Sequence, residues 1–455
     1  MRMTSNALSG ASAAQAALNT ISQNISNVMT PGYSRQGVVL SPLSAASGDR
    51  LSAGSGVDVL AIRRYSDTYK NLQMWQAQSQ QGQLAASREY FQQLEQVMGS
   101  SGTSLSAGLD KFYAALNAVS VEPASLPLRQ QVISEADALV RRSDNLNRVF
   151  AVQLASVGEQ RAAVVGQINL LSQQVAQLNQ KVAAAEAMSS NVAGLLDERD
   201  RQIDALAKLV DVRVTTLGDG SKSISLPGGA PLVVGDTAAA LSVEPQQDGS
   251  QRLTLQFANE RFVLSDERAG GTLGGLGDYE KNVLRPQLTA VKSLMGQLAT
   301  RTNEVLGKGF DLQGNQGKSL FIIGASDGSV SLAQLTAEEL AFSSVAGTPA
   351  NSGNLNALIA IREEKVDVAA LGKVSFGDAY AQLVGQLAIA SQQNKASLET
   401  AKAVRAEAES AWKSASGVNS DEEAVNLIEF QKMYQANMKV IAVAGELFDS
   451  TLAIL

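Results

Sequence analysis

The chain has 455 residues, of which 45% are apolar, 18% charged and 5% aromatic, and it contains no Cys and no His. Those two absences exclude thiolate nucleophiles, Ser-His-Asp triads, disulfides and thiolate or imidazole metal sites, and they leave paired carboxylates as the main route to catalysis. A net charge of −7 with no basic run longer than Arg63-Arg64 or Arg141-Arg142 argues against nucleic-acid binding, and no apolar stretch approaches the roughly 18 residues of a membrane span.

Residues 5–28 read as a helix. Ala7, Ala11, Ala14, Leu18, Ile21, Ile25 and Val28 form a heptad seam, stepping by four and three. Much of the seam is Ala, so the helix buries little by itself and reads as a partner-dependent coiled coil. Polar residues interrupt the first turns, so a cleaved secretory signal is not expected. Met29-Thr30-Pro31-Gly32 ends the helix, because Pro31 disfavours helix at Thr30 and Gly32 permits a tight turn. An extended stretch (Ser34–Pro42), a loop (Ser44–Gly56) and a short strand (Val57–Ile62) follow.

Helices are expected over 66–98, with Trp75, Leu84, Phe91 and Leu94 as core, and over 105–120. A very long helix runs from Leu128 to about Met188, with Pro127 in its first turn. At that length it would span roughly 90 Å. Another helix covers 192–210. Between 212 and 264 the period changes. Val212–Thr216, Ser223–Leu226, Leu232–Val234, Leu241–Val243, Arg252–Phe257 and Arg261–Leu264 read as short antiparallel strands punctuated by Gly-containing turns. The glycine run Gly270–Gly277 lacks the Lys-Ser/Thr of a phosphate loop and reads as a flexible re-entry into the helical body. Helix resumes at 278–306, loop covers 307–331, and short elements fill 332–375. Asp311, Asn315 and Asp327 read as turn residues, being too scattered for a calcium loop. A long helix covers 376–416. A last heptad helix carries Leu427, Phe430, Tyr434, Asn437, Ile441, Ala444 and Phe448, with Ser420 and Glu423 as its capping box.

The fold class is therefore mainly α with a small β insertion. A long helical bundle or coiled coil is built from both chain ends, plus one small antiparallel β domain. Three parts are expected: a terminal region (1–65 and 415–455), a long-helix bundle (66–211 and 276–414) and an outward-facing β domain (212–275). The end helices pair with each other antiparallel or with other subunits. No cofactor is expected.

Asn24-Ile25-Ser26-Asn27-Val28-Met29-Thr30-Pro31-Gly32-Tyr33 resembles the signature shared by flagellar rod, hook and hook-associated proteins. Tyr33-Ser34-Arg35-Gln36 is similar to the hook-associated protein 1 family in particular. Gly194-Leu195-Leu196-Asp197-Glu198-Arg199-Asp200, Leu209-Val210-Asp211-Val212, Gly271–Leu276, Gly309–Gly314, Gly417–Ala424, Tyr434-Gln435-Ala436 and Lys439-Val440-Ile441 match the same family in order. Met29, Leu306-Gly307-Lys308 and Gly445 depart from its pattern, and the chain is shorter than many members.

The resemblance implies a structural subunit of the bacterial flagellum that polymerises at the hook tip as the hook–filament junction. It implies an extracellular location reached by type III export without a cleaved signal peptide. The implied partners are further copies of the chain in an open helical assembly, hook protein, the second junction protein on the filament side, and an export chaperone at the C-terminal helix. Neither nucleic acid nor membrane insertion is implied. Leu18, Ile21, Ile25, Val28, Tyr33, Leu427, Phe430, Tyr434, Ile441 and Phe448 are the expected subunit interface. Asn27, Thr30, Pro31 and Gly32 are the expected turn motif. Tyr33 is either an anchor at that turn or a half-buried aromatic. The alternatives are a hook or distal-rod paralogue, a coiled-coil scaffold unrelated to flagella, and a peptidoglycan hydrolase. The hydrolase would use Asp197, Glu198, Asp200 or the pair Glu422 and Glu423, which otherwise read as solvated pairs with Arg199 and Arg201 and as a capped first turn.

Overall fold

A computed structural model describes residues 2–44, 54–100, 102, 104–188, 190–325 and 328–453. Most of the expected Ser44–Gly56 loop, and Asp327, lie outside the described residues. In chain order the elements are α1 (Arg2–Ser26), the antiparallel hairpin β1 (Gln36–Leu43) and β2 (Gly56–Arg64), α2 (Thr68–Gly99), α3 (Leu105–Val121), α4 (Leu126–Ala187) and α5 (Ala193–Leu209). Seven short strands follow: β3 (Arg213–Thr216), β4 (Lys222–Ser225), β5 (Pro231–Val234), β6 (Thr237–Ala238), β7 (Ala240–Pro245), β8 (Gln251–Phe257) and β9 (Glu260–Leu264). Next come α6 (Asp266–Ala269) and α7 (Gly271–Tyr279), which runs through a π turn at Glu280–Leu284 into α8 (Arg285–Leu306). The hairpins β10 (Phe321–Ile323) with β11 (Val330–Leu332) and β12 (Lys365–Val368) with β13 (Gly372–Ser375) flank α9 (Gly353–Ala360). The long helices α10 (Phe376–Ser416) and α11 (Ser420–Leu452) close the described chain.

The chain divides into two compact units. The first comprises 1–82, 164–271 and 400–455, and the second 83–163 and 272–399. This division cuts through α2, α4 and α10 and groups the β insertion with the chain ends, so it does not follow the three parts expected from element type.

In the first unit α1 and α11 pair antiparallel. Asn24 bonds Glu423 at one end, and Gly10 faces Asn437 about four turns away. Ala7, Ala11, Ala14, Ala17 and Ile21 are buried. Small residues let the two backbones approach closely, and a Cβ at Gly10 would lie 2.7 Å from Asn437 Oδ1. The β1–β2 hairpin lies along α1, with Val57 N donating to Ser9 Oγ at 3.2 Å. The insertion forms two antiparallel sheets, β3-β4-β5-β6 and β7-β8-β9. All six expected strands are present, joined by the two-residue β6. Asn179 of α4 ties the first sheet down. Its amide donates to Lys222 O and Gly235 O (2.7 Å each), and its Oδ1 accepts from Lys222 N at 3.0 Å.

The second unit buries Phe91, Leu94, Phe112, Phe150, Tyr279 and Tyr380. Arg129 is buried too, its guanidinium donating to backbone carbonyls, Pro123 O at 2.6 Å and Leu340 O at 2.7 Å, and burial pulls its pKa down from the ordinary value to about 10. Asp311 and Asn315 are turn residues, with Asp311 Oδ1 accepting from Gln313 N and Asn315 N at 2.8 Å each.

Three local expectations are corrected. The glycine run is not a flexible re-entry, because it starts a helix. Gly270 and Gly271 have φ of +60° and +55° and abut the backbone at Asp211 and Leu209–Val210. The stretch 307–331 is not all loop, since it carries β10 and the start of β11. The cap of α11 is Asn419 rather than Ser420, its Oδ1 accepting from Asp421 N at 3.0 Å.

Candidate assembly site at the chain ends

The turn after α1 has the geometry its residues dictate. Tyr33 N donates to Thr30 O at 3.2 Å, Pro31 supplies the fixed φ, and Gly32 adopts φ +75°. Thr30 Oγ1 also donates to Asn27 Oδ1 at 3.2 Å. All four expected turn residues act in this one bend.

Asn24, 1% exposed, is the hub beneath it. Its Oδ1 accepts from Tyr33 Oη at 2.9 Å and Gln36 N at 3.0 Å. Its Nδ2 donates to Gln36 O at 2.8 Å and Glu423 Oε2 at 3.1 Å. One amide thus joins helix, turn, strand and α11. Tyr33 is both half-buried and an anchor. Burial, then the charges of Asp197 and Glu423, push its phenol up to about 12, so it stays a donor.

Arg35 makes the parallel connection. Its N–H donates to Ser416 O at 2.8 Å, and its guanidinium meets Glu422 at 2.6 Å and lies 4.5 Å over the Tyr65 ring. Below the turn, Arg64 Nε donates to Asp197 Oδ1 and Arg64 Nη2 to Asp200 Oδ2, both at 2.7 Å. Ser34 N donates to Asp197 Oδ2 at 3.2 Å, and Lys222 Nζ donates to Asp200 Oδ1. Burial raises the Asp197 carboxyl above its ordinary value despite Arg64. Burial also acts to raise Asp200, but Lys222 and Arg64 outweigh it and hold it below.

This corrects the reading of the acidic motif. Only Glu198 and Arg201 form a solvated pair. Asp197, Asp200 and Arg199 are buried, and Arg199 donates to Asn179 Oδ1 at 3.1 Å and Gly220 O at 2.8 Å. Glu423 is buried against Asn24 rather than being a simple first-turn acid. With Arg and Lys donors on Asp197 and Asp200, these carboxylates form ion pairs, not the water-flanking couple of a glycosidase.

The expected interface residues separate into two sets. Ile21 is buried and Leu18, Phe430, Tyr434 and Ile441 are half-buried in the α1–α11 pair. Ile25, Val28, Leu427 and Phe448 are exposed, Phe448 at 63%. Val425, Ile428, Val443, Leu447 and Leu452 of α11 are exposed as well. Arg64 and Lys222 were missed from sequence, and Asn24, Arg35 and Glu423 were named there only within motifs, without the partners they have here. The signal for one of them was available, because Asp197 and Asp200 are three apart on one helix face and so mark a cation site. Among the described residues no group of three or more Asp/Glu is arranged to hold a metal, and no helix is long and apolar enough to cross a membrane.

Comparison with known proteins gives consistent matches. The family model described as the flagellar hook-associated protein FlgK helical domain matches residues 91–321, just over half of the chain. Flagellar basal body rod models match both ends, residues 5–33 and residues 414–454. Flagellar hook-associated protein 1 of Salmonella typhimurium is 26% identical over 99% of both chains. The Escherichia coli protein of that name is 27% identical with the same coverage, and the Bacillus subtilis one 24% identical over 97% of this chain and 96% of its own. The solved flagellar hook junction protein FlgK of Burkholderia pseudomallei shares the fold, with a TM-score of 0.68 and 18% identity over 75% of this chain and 100% of that one. The chain belongs to the flagellar hook-associated protein FlgK family.

Proposed function

We propose that this chain is a structural subunit that polymerises at the hook tip as the hook–filament junction, giving the filament a surface to attach to. One observation carries the reading. The two ends that match rod-type models are paired with each other, yet α11 leaves Val425, Ile428, Leu447, Phe448 and Leu452 facing outward. Exposed large apolar side chains in this number on one helix mark a protein-contact surface. Identical copies stacked head to tail along it give an open helical array.

The partners of the assembled subunit are further copies, hook protein below and the second junction protein above. An export chaperone covers the C-terminal helix before assembly. The chain leaves the cell through the flagellar export apparatus with its ends unpaired, and they order on the hook. Its role is not catalytic. Purified chain releasing peptidoglycan fragments would reverse that statement.

Deleting the gene, imaging the cell surface and assaying the medium for flagellin tests the reading. Bare hooks with unpolymerised flagellin outside are expected. Normal filaments would refute the junction role, and loss of hooks would transfer the chain to the rod or hook.

A further inference from the structure

The two chain ends are held in different ways. The N-terminal segment is held to the rest of its unit by charge. Arg64 of β2, Asp197 and Asp200 of α5 and Lys222 of β4 come from three distant stretches of sequence, and their side chains are 6–11% exposed. Two cations meet two anions, with the buried Arg199 beside them. Each of the four carboxylate oxygens has a donor: Arg64 Nε and Ser34 N on Asp197, and Arg64 Nη2 and Lys222 Nζ on Asp200. Lys222 also lies 4.8 Å over the Trp75 ring. The C-terminal helix has no share in this network. It packs chiefly on α1, and its polar ties go to Asn24 and Arg35 of the N-terminal segment.

We propose that Arg64 is a latch that must close on Asp197 and Asp200 before α11 has a surface to pair with, so the chain ends order in a fixed sequence, N-terminal segment first. A buried ion pair is repaid only when every partner is in place, so the latch is closed in one register or open. Its geometry requires a guanidinium. Arg64 spans two separate carboxylates with two nitrogens, which the point charge of a lysine ammonium cannot do. Open, the segment carries Arg63, Arg64 and Arg35 into solvent and remains soluble. Closed, it presents Ala7, Gly10, Ala14 and Asn24 as the template for α11. The inference rests on the reading that the ends order on assembly, and it adds the order in which they do so.

The chain has no Cys, so a single introduced thiol reports its own site. Ala13→Cys lies on the face of α1 that carries Ser9 and turns to the β1–β2 hairpin, and Ala444→Cys on the half-buried face of α11. Thiol modification rates are measured in the free chain and in isolated hook–filament structures, with Arg64→Lys or with Phe430→Ala. Arg64→Lys is expected to raise the rate at both thiols at least tenfold. Phe430→Ala is expected to raise it at Ala444→Cys alone.

Absence of Arg64→Lys from the structures, with the free chain unfolding at the wild-type temperature, supports the latch equally. Three results overturn it: Arg64→Lys leaves Ala444→Cys protected, Phe430→Ala exposes Ala13→Cys as well, or Arg64→Lys lowers the unfolding temperature of the free chain. Ends already protected in the free wild-type chain would refute assembly-linked ordering, while the order of release would still be read there.

Discussion

Gly275 illustrates how single atoms set this structure. Its position on α7 brings it so close to α2 that an added Cβ would lie 2.0 Å from Gln83 O. Backbone cannot move aside as a side chain can. Gly275→Ala should therefore lower stability by about 1–3 kcal/mol, the usual cost of overpacking, and an unchanged thermal unfolding temperature would reject that. The acid pair of α5 makes a second residue-scale prediction. Asp200 is held below the ordinary value of 3.8 by Lys222 and Arg64, which overcome its burial. A depressed carboxyl contributes stability above its unfolded pKa, and that stability is lost as pH falls through the folded value. Asp197 is raised by burial, so protonating it removes no stabilisation. Below pH 3.8 the wild type should lose stability more steeply than Asp200→Asn. Parallel losses in denaturant titrations at neutral pH and below 3.8 would show that another group carries the acid sensitivity.

At the scale of the element, α11 carries more apolar side chains than its pairing with α1 covers. Phe430, Tyr434 and Ile441 are half-buried in the pair with α1, whereas Val425, Ile428, Leu447 and Phe448 face outward. The heptad pattern identified the helix and its seam. It did not separate the side chains covered within the chain from those left open, because Phe448 is about five turns from Phe430 and lies on the same helix face. Phe448→Asp should leave the thermal unfolding of the free chain unchanged, since the side chain is 63% exposed. It should also abolish incorporation at the hook tip, scored by motility and flagellin release. Filamented cells carrying the variant would remove Phe448 from the interface. The glycine run went the other way. A cluster of Gly ordinarily signals a loop, but here Gly271 and Gly275 open a helix where backbones pass too closely for any side chain.

At the scale of the molecule, the alignment with the Salmonella relative runs over 550 positions, more than the 455 residues of this chain, so the relatives carry segments that it lacks. Both ends are present, residues 5–33 and 414–454 matching flagellar basal body rod models. Limited proteolysis should cut within 1–60 and 415–455 in the free chain and spare both in the assembled junction. Equal protection in the two states would end the disorder-to-order account. By itself the sequence determined the long helices, the β insertion, the Pro31–Gly32 bend and the family, because heptad spacing, strand alternation and turn chemistry are local and leave local marks. Only the tertiary structure decided that Asp197 and Asp200 are buried partners of Arg64 and Lys222, that Glu423 reaches Asn24, and which face of α11 stays open. Those facts depend on residues separated by tens to hundreds of positions. A buried charge has the same letter as a solvated one until the fold brings its partner to it.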